Sequence, residues 1–335
     1  MVIADVATVL VSIVALWLGA RWLVAAASRL ASAVGVSALI VGLTVVAFGT
    51  SAPEFAVTIE AALADRADVS VGNVVGSNVF NLGVILGGVA IVHPFRTTDS
   101  LVRRDAVVMA GITVLALAFL ANAAISRLEG VVLCLLLVAY LGGLVVAARG
   151  EIRTEEEKEG ETTVPSDDST RTLESDTADT ETSVTTTETV DWLDVPKLLV
   201  GLVLVVVGGR LLVGAATDLA QTVGVSEWII GVTIVAAGTS VPELVTSLVA
   251  ARDGDVGIAA GNVVGSNVFN LLGVLGIAAV IRPMTVATDA LVGLVWLFVL
   301  TVIATALLAT GRRLTRLEGV ALVGFVAVYW VVALG

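Results

Sequence analysis

Two blocks of this chain occur twice at one spacing. Residues 35–54, GVSALIVGLTVVAFGTSAPE, align without gaps with residues 224–243, GVSEWIIGVTIVAAGTSVPE, and residues 72–82, GNVVGSNVFNL, recur unchanged at 261–271. Both pairs are displaced by 189 positions, as are Arg21 and Arg210. A displacement shared by separated blocks marks one structural unit used twice. Whatever the first half folds into, the second half repeats.

Composition says where that unit resides. Apolar residues make up 57% of the 335 and charged residues only 14%, whereas a soluble domain carries about 25% charged residues. The net charge of −12 is also confined. Between Glu151 and Asp191, fourteen Asp and Glu stand against Arg153, Lys158 and Arg171, a net of −11. The remainder is nearly neutral and apolar, as expected of an all-α polytopic membrane protein with one acidic insert. A basic groove for nucleic acid is absent. Cys134 is the only cysteine and His93 the only histidine, which disfavours a disulfide framework, a histidine zinc site and a Ser-His-Asp triad. His93 reads as a loop residue. No bound cofactor and no obligate protein partner is expected.

A helix needs about 20 mostly apolar residues to cross a bilayer. Ten runs qualify, at roughly 5–32, 38–64, 70–92, 104–122, 128–148, 194–219, 228–251, 256–281, 288–310 and 315–334. The first lacks a basic region before it and is expected to be a span rather than a cleaved leader. Each half, 1–149 and 193–335, then carries five spans. Because five is odd, tandem copies enter the membrane from opposite faces, which makes an inverted-topology repeat, an architecture of secondary transporters. The insert, 150–192, lacks the apolar content to offset chain entropy and is expected to be a disordered linker. Thirteen Lys and Arg fall on the side of the first interhelix loop against Arg66, Arg127 and Arg282 on the other. Basic residues mark the cytoplasmic side, so that loop and the insert are expected there, with both termini outside.

Each half places a carboxylate inside an apolar segment, Glu54 after GTSAP and Glu243 after GTSVP. A membrane carboxylate is costly and needs a partner or a cavity. No Lys or Arg is near either in sequence, so a cation is the natural partner. Pro53 and Pro242 deny a donor to the carbonyls of Gly49 and Gly238, and irregular backbone at membrane depth persists only where something satisfies it. Thr50 and Ser51 stand four and three residues before Glu54, on one helical face. Thr239 and Ser240 do the same for Glu243, and Ala47 and Ala236, one turn earlier, can offer backbone oxygen. Ser77 with Asn81, and Ser266 with Asn270, add oxygens at a spacing of four, while Gly72, Gly76, Gly261 and Gly265 permit close helix approach. The candidate set is oxygen only, which favours hard cations such as Ca²⁺ and Na⁺. Blander roles stand beside this reading. A Ser or Thr in a span usually bonds a neighbouring helix, and a lone Pro usually kinks. Asn73, Asn78, Asn262 and Asn267 suit packing or capping as well as ligation. Arg21 and Arg210 read as structural or interfacial.

At these residues the chain resembles the sodium/calcium exchanger family, prokaryotic type, of the cation/calcium antiporter superfamily. The resemblance rests on GTSAPE at 49–54, GTSVPE at 238–243 and GNVVGSNVFN at 72–81 and 261–270, and it covers the whole ten-span layout. It implies a site where the second, third, seventh and eighth spans meet. Glu54 and Glu243 would be shared Ca²⁺ and Na⁺ ligands, joined by Thr50, Ser51, Thr239, Ser240, the carbonyls of Ala47 and Ala236, the hydroxyls of Ser77 and Ser266 and the amide of Asn81. The first and sixth spans would move as a pair. Some relatives carry aspartate where this chain has Asn270, so this site holds two carboxylates rather than three, against potassium dependence and against proton coupling at that position. The implied function is Na⁺/Ca²⁺ exchange by alternating access in the cell membrane. The nearest rival is a Ca²⁺/H⁺ antiporter on the same scaffold, since a desolvated carboxylate can carry a proton. The inverted repeat favours alternating access over the continuous pore of a cation channel, and the sequence has no oxyanion-hole signature of an intramembrane hydrolase.

Overall fold

A computed structural model describes residues 2–161, 191–224 and 236–334. The middle of the expected linker, 162–190, and the opening of the seventh expected span, 225–235, lie outside the described residues. The described chain is helical apart from turns and two pairs of two-residue strands. Helix closes every backbone hydrogen bond within its own segment, which is the requirement in hydrocarbon.

Six helices are long and apolar enough to cross a membrane, and a seventh span forms if the bent pair Ala38–Thr50 and Ala52–Leu63 is counted as one. In the first half α1 is Val2–Ala33, followed by α2 (Ala38–Val41), a π-helical turn (Gly42–Val46), α3 (Ala47–Thr50) and α4 (Ala52–Leu63). The next span is α5 (Ala67–Phe80), a π-helical turn (Asn81–Ile85) and α6 (Leu86–Val92); then come α7 (Val107–Leu120) and α8 (Arg127–Glu161). The second half repeats this series with α9 (Asp194–Thr222), α10 (Ala236–Gly238), α11 (Val241–Asp253), α12 (Val256–Val268), a π-helical turn (Phe269–Val274), α13 (Leu275–Ile281), α14 (Thr288–Ala309) and α15 (Arg316–Leu334).

The molecule is layered from inside to outside. The most apolar stretches of 67–92 and 256–281 are 78% and 83% buried by the rest of the protein, against 17% for α1 and 11% for 127–152. The central helices carry the polar residues, and the outer helices present Leu10, Val14, Leu135, Val138 and Val146 outward, as lipid contact demands. Glycines set the central crossings. A Cβ on Gly261 would stand 2.6 Å from the carbonyl oxygen of Leu39, and one on Gly265 2.7 Å from that of Leu43. The helix leading to Glu54 therefore lies directly on α12. Helices α1 and α9 cross at Gly19 and Gly201 in the same manner, and at one end Arg29 pairs with the fully buried Asp194 at 2.7 Å.

The strands reveal the relation between the halves. β1 (Phe95–Arg96) pairs antiparallel with β4 (Arg313–Leu314), and β2 (Ala124–Ile125) with β3 (Met284–Thr285). Moving each residue of the first pairing by 189 positions gives the second with the halves exchanged. Each half thus lends one strand to each pair.

One boundary differs from expectation. The linker was expected from 150, but α8 continues to Glu161. Hydropathy ends the apolar run near 148, whereas Glu, Lys and Arg are good helix formers and continue the helix beyond it.

The glycine crossing is testable. Gly261→Val forces a side chain into the Leu39 backbone, and overpacking of this kind costs about 1–3 kcal/mol or more. The variant should lose several degrees of melting temperature in detergent, whereas Gly142→Val, with no neighbouring atom within 4 Å, should melt like the wild type.

Candidate cation site

The two GTS-x-PE segments build the centre. The first helix breaks at Ser51, with φ −76° and ψ 5°, and its halves meet at 46°. The second breaks at Ser240, with φ −91° and ψ 8°. Pro53 and Pro242 fall in the first turn of the new helices, where a missing N–H costs little. Glu54 and Glu243 share that turn, where the helix dipole favours an anion.

The two breaks face each other and exchange bonds. The Ser51 hydroxyl donates to Oε1 of Glu243 at 3.1 Å, and the Ser240 hydroxyl donates to Oε1 of Glu54 at 2.9 Å. This is one interaction seen from each half. Ser266 donates to the same Glu243 oxygen at 3.5 Å, and the Ser77 and Thr239 hydroxyls meet at 3.4 Å. Thr50 donates toward Asn262 Oδ1 at 3.0 Å. All these side chains are buried, and both glutamates are fully so. Yet Oε2 of Glu54 and Oε2 of Glu243 have no hydrogen-bond partner among the described residues, and none of the ion pairs there includes either group. Leaving a buried charged acceptor bare costs more than the roughly 1–3 kcal/mol of a neutral one. A cation held between the two removes that cost.

Asn81 and Asn270 are buried beside this centre, each within a π-helical turn. Such turns cluster at functional sites because they shift the backbone register. Both amide atoms of Asn81 and Oδ1 of Asn270 lack partners among the described residues, while Nδ2 of Asn270 reaches Asn78 Oδ1 at 3.4 Å. The available donors are carboxylate, hydroxyl and amide oxygens. Among the described residues no group of three His, Cys, Asp or Glu gathers, so a soft-metal cage is not part of this arrangement.

One expectation changes. The spacing of three put Ser51 on the face of Glu54, but the helix breaks at Ser51 itself, and its hydroxyl turns to Glu243 instead. The carbonyl of Ala47 accepts the Ser51 N–H at 3.1 Å and keeps its second lone pair, since the one Thr50 proton points toward Asn262 at 3.0 Å. Ala236 opens α10 at the matching position.

The asparagines left open by the sequence find a structural role. Asn73 donates to the Thr58 hydroxyl at 2.9 Å and toward the Glu54 carbonyl at 3.5 Å; Asn262 donates to the Ser247 hydroxyl at 2.9 Å and the Glu243 carbonyl at 3.3 Å. They fix the main chain that presents each carboxylate. The signal for them was present: Thr58 and Ser247 stand at matching positions, four residues beyond each glutamate.

A family comparison covers both copies of the motif. The model of the family described as sodium/calcium exchanger protein matches residues 5–146 and 196–335. The chain belongs to that sodium/calcium exchanger family. It is 32% identical over 346 aligned positions to the sodium/calcium exchanger MaX1 of Methanosarcina acetivorans, covering 99% of each chain. It is 32% identical over 315 residues to the putative antiporter CaxA of Alkalimonas amylolytica, covering 93% of this chain and 92% of that one. Its fold is similar to that of the sodium-calcium exchanger NCX_Mj soaked with 10 mM Na⁺ and zero Ca²⁺, with a TM-score of 0.80, 28% identity and 98% of each chain covered. The family is one of membrane transporters, not of enzymes.

The struts can be tested apart from any transport. Asn262→Ala strands a buried hydroxyl and carbonyl, at about 1–3 kcal/mol. It should lower the melting temperature in detergent by several degrees, and the half-exposed Asn73→Ala by less. An unchanged melting curve for Asn262→Ala would remove the strut from the account.

Proposed function

We propose that this protein exchanges Na⁺ for Ca²⁺ across the cell membrane by alternating access, extruding Ca²⁺ at the expense of inward Na⁺ flow. One observation carries the reading: two buried carboxylates, one from each half, are tied by the other half's serine and each keeps one oxygen bare. The names of the relatives, exchanger and antiporter, agree with it.

In this reading Glu54 and Glu243 are the charged ligands. Thr50, Ser51, Thr239, Ser240, Ser77, Ser266, Asn81 and Asn270 supply the neutral oxygens, with backbone oxygen from Ala47 and Ala236. Two carboxylates balance one Ca²⁺ or two Na⁺. Holding both kinds of ion together would leave excess positive charge in a low-dielectric interior, so the ions compete and the protein must release one to take the other. That competition is the coupling.

The architecture that makes this work is ten spans in two inverted five-helix repeats, 1–149 and 193–335, joined by the insert 150–192. The exchange symmetry of the strand pairs supports it. A site on the boundary of two such halves opens to either side when they swap conformations. The basic residues put the first loop and the insert in the cytoplasm and both termini outside.

The deciding experiment is radiolabelled Ca²⁺ uptake into proteoliposomes. An imposed Na⁺ gradient at fixed pH should drive uptake, and a pH gradient without Na⁺ should not; the reverse pattern is that of a Ca²⁺/H⁺ antiporter, and uptake with neither gradient is that of a channel. Glu54→Gln or Glu243→Gln leaves one carboxylate to face a divalent ion and should abolish uptake. Normal Na⁺-driven flux in either variant would refute the site.

A further inference from the structure

The two halves are related by sequence but do not pack alike. On one side Val241, Val245 and Val249 of α11 close against Leu16 and Ala20 of α1 in an apolar cluster. The positions matching those valines in the first half are Ala52, Ala56 and Glu60. There the counterpart helices α4 and α9 do not close. They flank a cavity of about 270 Å³ walled by Pro53, Val57 and Glu60 from α4 and by Arg210 and Val213 from α9, and reaching Thr239 at the second break. It therefore runs to the edge of the carboxylate site.

Two charges face this cavity. Arg210 and Glu60 are both exposed, and neither forms an ion pair among the described residues. An arginine in a route for cations is unfavourable unless its charge has a use. Its counterpart in the first half, Arg21, lies over the Trp17 ring, 5.0 Å from its centre, and the position that matches Glu60 is Val249 rather than an acid. The opposed pair thus belongs to one half only.

We propose that Arg210 is a specificity-determining residue of the entrance cavity, repelling a divalent ion twice as strongly as a monovalent one while the cavity is open and neutralised by Glu60 when α4 and α9 close. The inference rests on the cation-exchange reading of the site. A fixed unit charge roughly 8 Å from the ion path, in water-like surroundings, changes the local concentration of a monovalent ion about twofold and of a divalent ion about fivefold. Arg210 by itself favours Na⁺ over Ca²⁺ at this mouth, Glu60 opposes that field from the other wall, and in the closed state the two compensate each other, where burying the guanidinium unpaired would be costly.

The test reads the field of the cavity directly. Ala56→Cys in a Cys134→Ser background is labelled in proteoliposomes with a cationic (trimethylammonioethyl) and an anionic (sulfonatoethyl) methanethiosulfonate. The two probes differ by two units of charge, so Arg210→Gln should raise the cationic-to-anionic rate ratio about fivefold at low salt, with the change shrinking in high salt. Arg210→Lys should keep the wild-type ratio, and Glu60→Gln should shift it the opposite way. In flux assays from the same side, Arg210→Gln should lower half-saturating Ca²⁺ about fivefold and half-saturating Na⁺ about twofold. A labelling ratio unmoved by Arg210→Gln overturns the inference, as does a shifted ratio with unshifted Ca²⁺ saturation. Absence of Na⁺-driven Ca²⁺ flux in the wild type refutes the exchange reading instead, and the labelling arm then still decides whether Arg210 sets the cavity's field.

Discussion

Two acids buried together are the constraint to which the rest of this structure answers. Glu54 and Glu243 are removed from water, take one hydroxyl bond each from the opposite half and leave their remaining oxygens bare. Without a cation that arrangement pairs repulsion with desolvation, so the protein must force it. The means are local and cheap: a break at Ser51 and Ser240, a proline placed where its missing N–H is harmless, an asparagine strut on each glutamate's own backbone, and glycines that bring α12 against the helix carrying the first break. Because the serine bonds cross between halves, neither half contains a complete site. An ion held there, as proposed above, would bridge the two halves and make ion binding and their relative position one equilibrium.

The sequence disclosed this centre because duplication is visible as a displacement, and a carboxylate in an apolar run has few explanations. Glu54, Glu243 and their hydroxyl-bearing neighbours were legible on that basis. What was not legible follows from the same residues. Helical spacing assumes an unbroken helix, so Ser51 was paired in expectation with its neighbour Glu54, whereas the break turns it to a glutamate 192 positions away. The π-helical turns at Asn81 and Asn270 are equally invisible, since nothing in the composition of these identical motifs separates an i→i+5 turn from an i→i+4 one; the crossing of the central helices decides it. The extension of α8 to Glu161 escaped because hydropathy measures where the membrane ends, not where a helix does.

Near-identity of the motifs makes the differences between halves informative. Where the second half has Val241, Val245 and Val249, the first has Ala52, Ala56 and Glu60. Three valines fill the groove against α1, while two alanines and an acid leave α4 apart from α9, with a cavity between them. A symmetrical exchanger would weigh its two faces equally. Apolar packing on one side and small or charged residues on the other bias the balance through burial alone, at about 25 cal/mol per Å² of apolar surface.

The replacement of acid by amide at Asn270 completes the electrostatic logic. In the proposed site, with Asn81 and Asn270 both neutral, the fixed charge is carried by two glutamates and would be cancelled by one divalent or two monovalent ions. Any further Na⁺ must be held by dipoles. The unpartnered atoms of Asn81 and Asn270 are the dipoles on hand, and they lie on the two most buried helices, where the low dielectric strengthens a dipole's hold on an ion but also penalises every uncancelled charge. A third carboxylate would relax that competition by admitting Na⁺ and Ca²⁺ together. In the exchange proposed above, two keep the site small in charge, so that the entry of one species would require the departure of the other, and this exclusivity, rather than tight binding of either, would couple the opposing fluxes.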